Sequence, residues 1–98
     1  MNFKMDNFQI KILSKKLLKI GLKALIKIFH ECEYKVYTSP KIIEKFLNRE
    51  PNHIANILKG LELDDLITRK REGFESKISL TDLGRQVATN ILHELEVL

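Results

Sequence analysis

The sequence predicts a mainly α fold with a small β-hairpin (α+β), and three observations predict it. Apolar residues recur at helical spacing over most of the chain. Only Leu66 to Thr81 reads as paired strands around a tight turn. Helix-start signatures at Ser39-Pro40, Glu50-Pro51 and Thr81-Asp82 divide the rest. With 98 residues, 44% of them apolar, and no linker or repeat, residues 1–98 are expected to pack as one domain.

From about Asn7 to Cys32 the pattern is helical. Ile10, Leu13, Leu17 and Ile20 lie on one face, and Leu22, Leu25, Ile26, Phe29 and Cys32 continue the spacing. Gly21 marks a kink, a break or the close approach of another helix. Residues 1–20 form a basic helical extension, and residues 21–80 form the core of the domain. Tyr34 to Thr38, aromatic and β-branched, suggests a brief strand.

Ser39 and Pro40 then supply an N-cap hydroxyl and the residue best suited to the first helical position. Ile42, Ile43, Phe46 and Leu47 give that helix its buried face. Asn48, which tolerates left-handed backbone, ends it. A second helix, 50–63, turns Ile54, Ile57, Leu58 and Leu61 inward. Two short helices joined by so brief a turn make a helix-turn-helix. Asp64 and Asp65 close it, and the hairpin 66–80 turns at Glu72-Gly73-Phe74-Glu75. Thr81 and Asp82 cap the last helix, 81–98, with Leu83, Val87, Ile91 and Leu95 at helical spacing. A hairpin following such a pair of helices is a wing, so the full expectation is a winged helix-turn-helix.

Charge is unevenly placed. The chain carries a net +4, yet residues 1–30 hold seven Lys against one Asp, while residues 31–98 hold a small acidic excess. Such a balance points to a polyanionic partner rather than a small neutral substrate. Lys11, Lys15, Lys19, Lys23 and Lys27 recur every fourth residue. That row suits backbone contacts to DNA, a membrane-surface helix or the solvated side of a dimerisation helix, the last with some phosphate steering being favoured.

The stretch from Ile57 to Leu92 resembles winged-helix transcription regulators of the MarR and ArsR type, including small archaeal winged-helix DNA-binding proteins. Leu58, Leu61 and Glu62 at the end of the second helix carry the likeness, with Leu66-Ile67 opening the wing and Leu80-Thr81-Asp82-Leu83-Gly84-Arg85 opening the last helix. Asp65 replaces the turn glycine usual before the wing, Arg49 an apolar residue, and Glu72-Gly73-Phe74-Glu75 a charged wing tip. The resemblance implies a sequence-specific transcription regulator that binds double-stranded DNA as a homodimer. The alternative is a winged-helix protein-interaction subunit of a transcription or replication complex.

On the DNA reading, Asn52, His53, Asn56 and Lys59 of the recognition helix 50–63 face bases, with Asn56 the best single base-reader. Arg49, Arg69, Arg71 and Lys77 would meet phosphates or the minor groove, Arg71 foremost because it adjoins the turn. Protection of an edge strand by charge is the competing account of the wing cations. Ile10, Leu13, Leu17, Val87, Ile91 and Leu95 are the candidate dimerisation residues. His30, Cys32 and His93 lack the spacing of a metal site, and Cys32 alone cannot form an internal disulfide. No phosphate loop or nucleophile elbow appears. No cofactor, metal, membrane or enzymatic activity is therefore expected, and a cytoplasmic location is the default.

Overall fold

The computed structural model describes residues 19–97. Four helices and one hairpin follow in order: α1 (Lys19–Tyr34), α2 (Pro40–Leu47), α3 (Pro51–Leu63), β1 (Ile67–Glu72), β2 (Glu75–Leu80) and α4 (Asp82–Val97). The architecture is the expected winged helix-turn-helix.

Buried Gly21, Ala24, Leu25 and Ile28 recur every third or fourth residue along α1, the spacing that keeps one face of a helix against a core. Helix α1 runs through Gly21, so no break occurs there, and it continues to Tyr34. The brief strand expected over Tyr34 to Thr38 therefore shrinks to one rung. The Thr38 N–H donates to the Ile78 carbonyl and the Ile78 N–H to that of Thr38, both at 2.8 Å. Tyr34 and Val36, 87% and 85% exposed, find no core to face, and Pro40 opens α2 two residues after the rung.

Ser39 is extended before Pro40, but its hydroxyl makes no capping hydrogen bond. The start of α2 is fixed by the proline, which presets its own φ and keeps the preceding residue out of the helical region. Ile43 is the buried anchor of α2. Phe46, expected inward, is 57% exposed and lies beneath Lys27, whose Nζ sits 4.9 Å from the ring centroid. Asn48 ends α2 with φ 53°, and the Glu44 carbonyl accepts from both Asn48 and Arg49 N–H groups.

The end of α3 is built the same way but more completely. Asp65 adopts φ 61°. Its N–H donates to the Glu62 carbonyl and that of Leu66 to the Leu61 carbonyl, both at 3.0 Å. This pair of bonds is the Schellman arrangement, and the flanking Leu61 and Leu66 are both buried, as its hydrophobic contact requires. The chain thereby turns sharply from α3 into the wing.

Strands β1 and β2 pair antiparallel from Ile67↔Leu80 to Glu72↔Glu75, leaving Gly73 and Phe74 as a two-residue turn. Gly73 takes φ +62°, the backbone that the first central position of a II′ turn needs. At the far end of the hairpin, Thr81 Oγ1 accepts from the Gly84 N–H at 2.9 Å and donates to the Asp65 carbonyl at 2.6 Å. One hydroxyl thus caps α4 and ties it to the turn that closes α3.

The core lies where α1, α3, α4 and the base of the wing converge, around Leu25, Ile28, Ile54, Leu58, Ile67 and Ile78. Burying each such side chain contributes about 1.5–3 kcal/mol. Val87 also belongs here, at 0% exposure, with Ile91 at 9%. The expectation that Val87 forms a dimer contact is therefore corrected: a fold this small uses the middle of α4 to close its own core on α1, leaving Val87 no surface to offer. Ile91 has little more. Ile10, Leu13 and Leu17, the lysine row as far as Lys15, and the side chain of Leu95 lie outside the described residues. Among the described residues no helix is long and apolar enough to cross a membrane.

Candidate nucleic-acid interface

Helix α3 presents two contrasting sides. Ile54, Leu58 and Leu61 are buried at 1% exposure or less. At 100° per residue, Asn52, Asn56, Lys59 and Leu63 project within about 50° of the opposite direction, and all four are exposed. His53 is also exposed but stands at the edge of this stripe. Asn52 and Asn56 make no side-chain hydrogen bond among the described residues, so their amide donors and acceptors face outward uncommitted. Leu63, 77% exposed, extends the stripe toward the wing; the helical projection of the sequence already contained it.

The wing cations divide into paired and unpaired. Arg69 donates from Nε and Nη2 to Glu62 Oε1 at 3.3 and 3.0 Å, binding the wing to the last turn of α3. This contact holds the Glu62 carboxyl below its ordinary pKa. Lys77 donates to Glu72 at 2.9 Å and lies 4.4 Å from the Tyr37 ring centroid. Glu72 also draws Lys70 to 3.5 Å, and its carboxyl is lowered chiefly by the Lys77 hydrogen bond. Arg71 forms no ion pair among the described residues, and neither do Arg49, in the turn before α3, and Lys59.

Sheet alternation places Ile67, Arg69 and Arg71 on one face of the hairpin, the face that meets α3 through Glu62. Among the described residues Arg71 is thus the uncommitted wing cation on the side of α3. Arg69 and Lys77, expected at a phosphate, are held within the chain.

Glu62, Glu72 and Tyr37 enter the site without having been named among its candidate residues. The Glu72 contact was readable, because a turn at Gly73-Phe74 puts Lys77 opposite Lys70 and diagonal to Glu72. Glu62 and Arg69 lie seven residues apart across the Schellman turn, a pairing that no helical or strand periodicity announces.

Among the described residues no group of three or more His, Cys, Asp or Glu side chains is placed to hold a metal ion. Cys32 is half-buried, and burial raises its thiol pKa.

No family model and no curated protein matches the sequence. Solved structures do. AF1382 from Archaeoglobus fulgidus superposes with a TM-score of 0.77 at 25% identity, over 85% of this chain and 92% of its own. MepR, a transcription regulator of the Staphylococcus aureus multidrug efflux pump MepA, gives 0.72 at 23% identity over 88% of this chain. The transcriptional regulator SlyA gives 0.73 at 22% identity over 92%. The chain spans 65% and 61% of the lengths of those two regulators. MepR has also been solved in complex with DNA, and that structure matches with a TM-score of 0.69 at 23% identity, over 88% of this chain and 65% of its own. Recognition helix, Schellman turn, hairpin and capped last helix together give this chain the winged helix-turn-helix fold of MarR-type regulators.

Proposed function

We propose that the chain is a transcription regulator that binds double-stranded DNA, laying α3 in the major groove with the wing alongside. The observation that carries this reading is the division of α3. Three fully packed aliphatic residues anchor it, while Asn52, Asn56 and Lys59 point away from the core with no partner among the described residues. An Asn amide pairs bidentately with adenine N6 and N7, and Lys reaches guanine acceptors or phosphate. Arg49 and Arg71 flank the helix as phosphate contacts, and His53 lies at the edge of the groove. The DNA complex of the structurally similar MepR supports the same use of the fold.

In this reading the protein selects a sequence and acts as a homodimer. Ile10, Leu13, Leu17 and Leu95 supply the contact between subunits, and two recognition helices lie about 34–36 Å apart on a roughly palindromic site. Duplex selection from random DNA, followed by titration at several salt concentrations, tests it. The slope of log affinity against log salt should be about −0.9 per neutralised phosphate. Asn56→Ala should cost about 1–3 kcal/mol on the selected site and little on random DNA. Weak, salt-insensitive binding unchanged in Asn56→Ala would favour a protein-interaction module, and light scattering of the free protein gives its subunit number.

A further inference from the structure

Two of the four wing cations on β1 and β2 that could face DNA are held on adjacent rungs and opposite faces of the hairpin. Lys77, opposite Lys70, is pinned by Glu72 and Tyr37. Arg69 lies on the neighbouring rung, opposite Ile78, and its partner Glu62 belongs to the recognition helix itself. The connection between α3 and β1 is short, Asp64, Asp65 and Leu66, and its backbone bonds fix only where the chain turns. Burial of Ile67 and Ile78 and the two Thr38 bonds to Ile78 hold the hairpin as far as the rung that pairs Arg69 with Ile78, and only the three rungs beyond it can still swing. Arg69, two residues into β1, is where a side-chain tie restrains that swing.

We propose that Arg69 is a positioning residue: gripped by Glu62 through two guanidinium hydrogen bonds, it braces the wing against the recognition helix and aims Arg71 at the DNA backbone. The inference deepens the DNA-binding reading and rests on it for the role of Arg71, whereas the brace itself is a property of the free protein. A guanidinium held through Nε and Nη2 is restrained in direction as well as distance, which a single-point Lys contact is not. Arg71 shares the hairpin face of Arg69 two residues further on, about 7 Å along the strand. A change of angle at Arg69 is therefore carried directly to Arg71. Arg69 spends its charge within the chain, and Arg71 has no ion pair among the described residues, so the two similar side chains do different work.

The test uses the full chain with Glu62→Gln, Arg69→Gln and the charge-swapped pair Glu62→Arg with Arg69→Glu. It is read in two independent ways. Amide exchange of β1 and β2 in the free protein reports the brace. Each single variant should speed wing exchange about three- to tenfold relative to α1, and the swapped pair should restore it. Affinity for the selected duplex should fall about three- to tenfold in each single variant with the salt slope unchanged, since no phosphate contact is lost. Wing exchange unaffected by the single variants would overturn the proposal. So would a tighter, more salt-dependent complex in Glu62→Gln, the mark of a DNA-binding Arg69 that Glu62 merely occupies, or an Arg69→Gln slope shallower by about 0.9. If the wild-type chain binds no duplex while the exchange results hold, the functional reading fails and the brace stands.

Discussion

Gly84, in the first turn of α4, packs so closely on the backbone of Leu66 that a Cβ at position 84 would overlap the Leu66 carbonyl. The neighbour is main chain, held by the Thr81 N–H donating to that same oxygen at 3.2 Å. It cannot swing aside as a side chain would. Gly84→Ala should therefore destabilise the fold by about 2–4 kcal/mol despite alanine's better helix propensity. Gly60, exposed on α3 with nothing within 4 Å of its Cβ position, should do the reverse: Gly60→Ala gains about 0.5–1 kcal/mol. Denaturant midpoints of the two variants should move in opposite directions.

Thr81 is the second fastening of the same junction. Thr81→Ala removes both the cap on the Gly84 N–H and the hydroxyl donated to the Asp65 carbonyl. A loss of about 1–2 kcal/mol in urea unfolding is expected. Thr81→Ser, which keeps the oxygen, should retain most of the stability.

Asp65 occupies a backbone conformation that L-residues adopt at a cost. Among the described residues its hydrogen bonds use main-chain atoms alone, so Asp65→Gly keeps the Schellman bonds and relieves the strain. Stability should rise by about 0.5–1 kcal/mol, visible as a higher melting temperature. Asp65→Val, β-branched, should lower it.

The wing should loosen in acid. The Glu62 carboxyl is lowered first by the hydrogen bond from Arg69, and that of Glu72 first by the one from Lys77. A carboxyl whose folded pKa is depressed contributes stability that is complete above its unfolded value, 4.5 for both groups, and is lost as pH falls through the folded value. Wing amide exchange should accelerate below that pH while exchange in α1 and α3 changes little. Both pairs are solvent-exposed, so added salt should mimic part of the effect at neutral pH.

Arg71 and Lys77 offer a matched comparison in DNA binding. Arg71→Ala should make the salt slope shallower by about 0.9, whereas Lys77→Ala should leave it nearly unchanged, because Lys77 is already neutralised by Glu72.

Much of this structure was legible in the sequence because local chemistry and tertiary fold agree at the element boundaries. Pro40 and Pro51 start helices and Asn48 and Gly73 turn the chain through their own backbone preferences, while Thr81 starts α4 through its hydroxyl. The inward row of α3 followed from periodicity alone. The errors arose where a residue's environment depends on remote elements. Phe46 has an apolar side chain at an apolar phase of its helix, yet it meets Lys27 of α1 rather than the core. Val87 read as surplus apolar surface because the sequence does not display how much of α4 the core consumes. The pairing of Arg69 with Glu62 went unread because it is settled across the Schellman turn, which no helical or strand periodicity announces.

The single rung joining Thr38 to Ile78 crosses from the segment entering the helix-turn-helix to the middle strand of the wing. Without it, the two halves of the proposed DNA-reading surface would be linked in sequence only through α3 and its closing turn. With it, the base of the hairpin is fastened to the segment entering α2 as well as to the turn that closes α3, and only the outer rungs of the wing are left to the Arg69–Glu62 tie. On the proposed function, a mismatch in groove width then falls on bending of the DNA or on the outer rungs of the wing, not on the base of the hairpin.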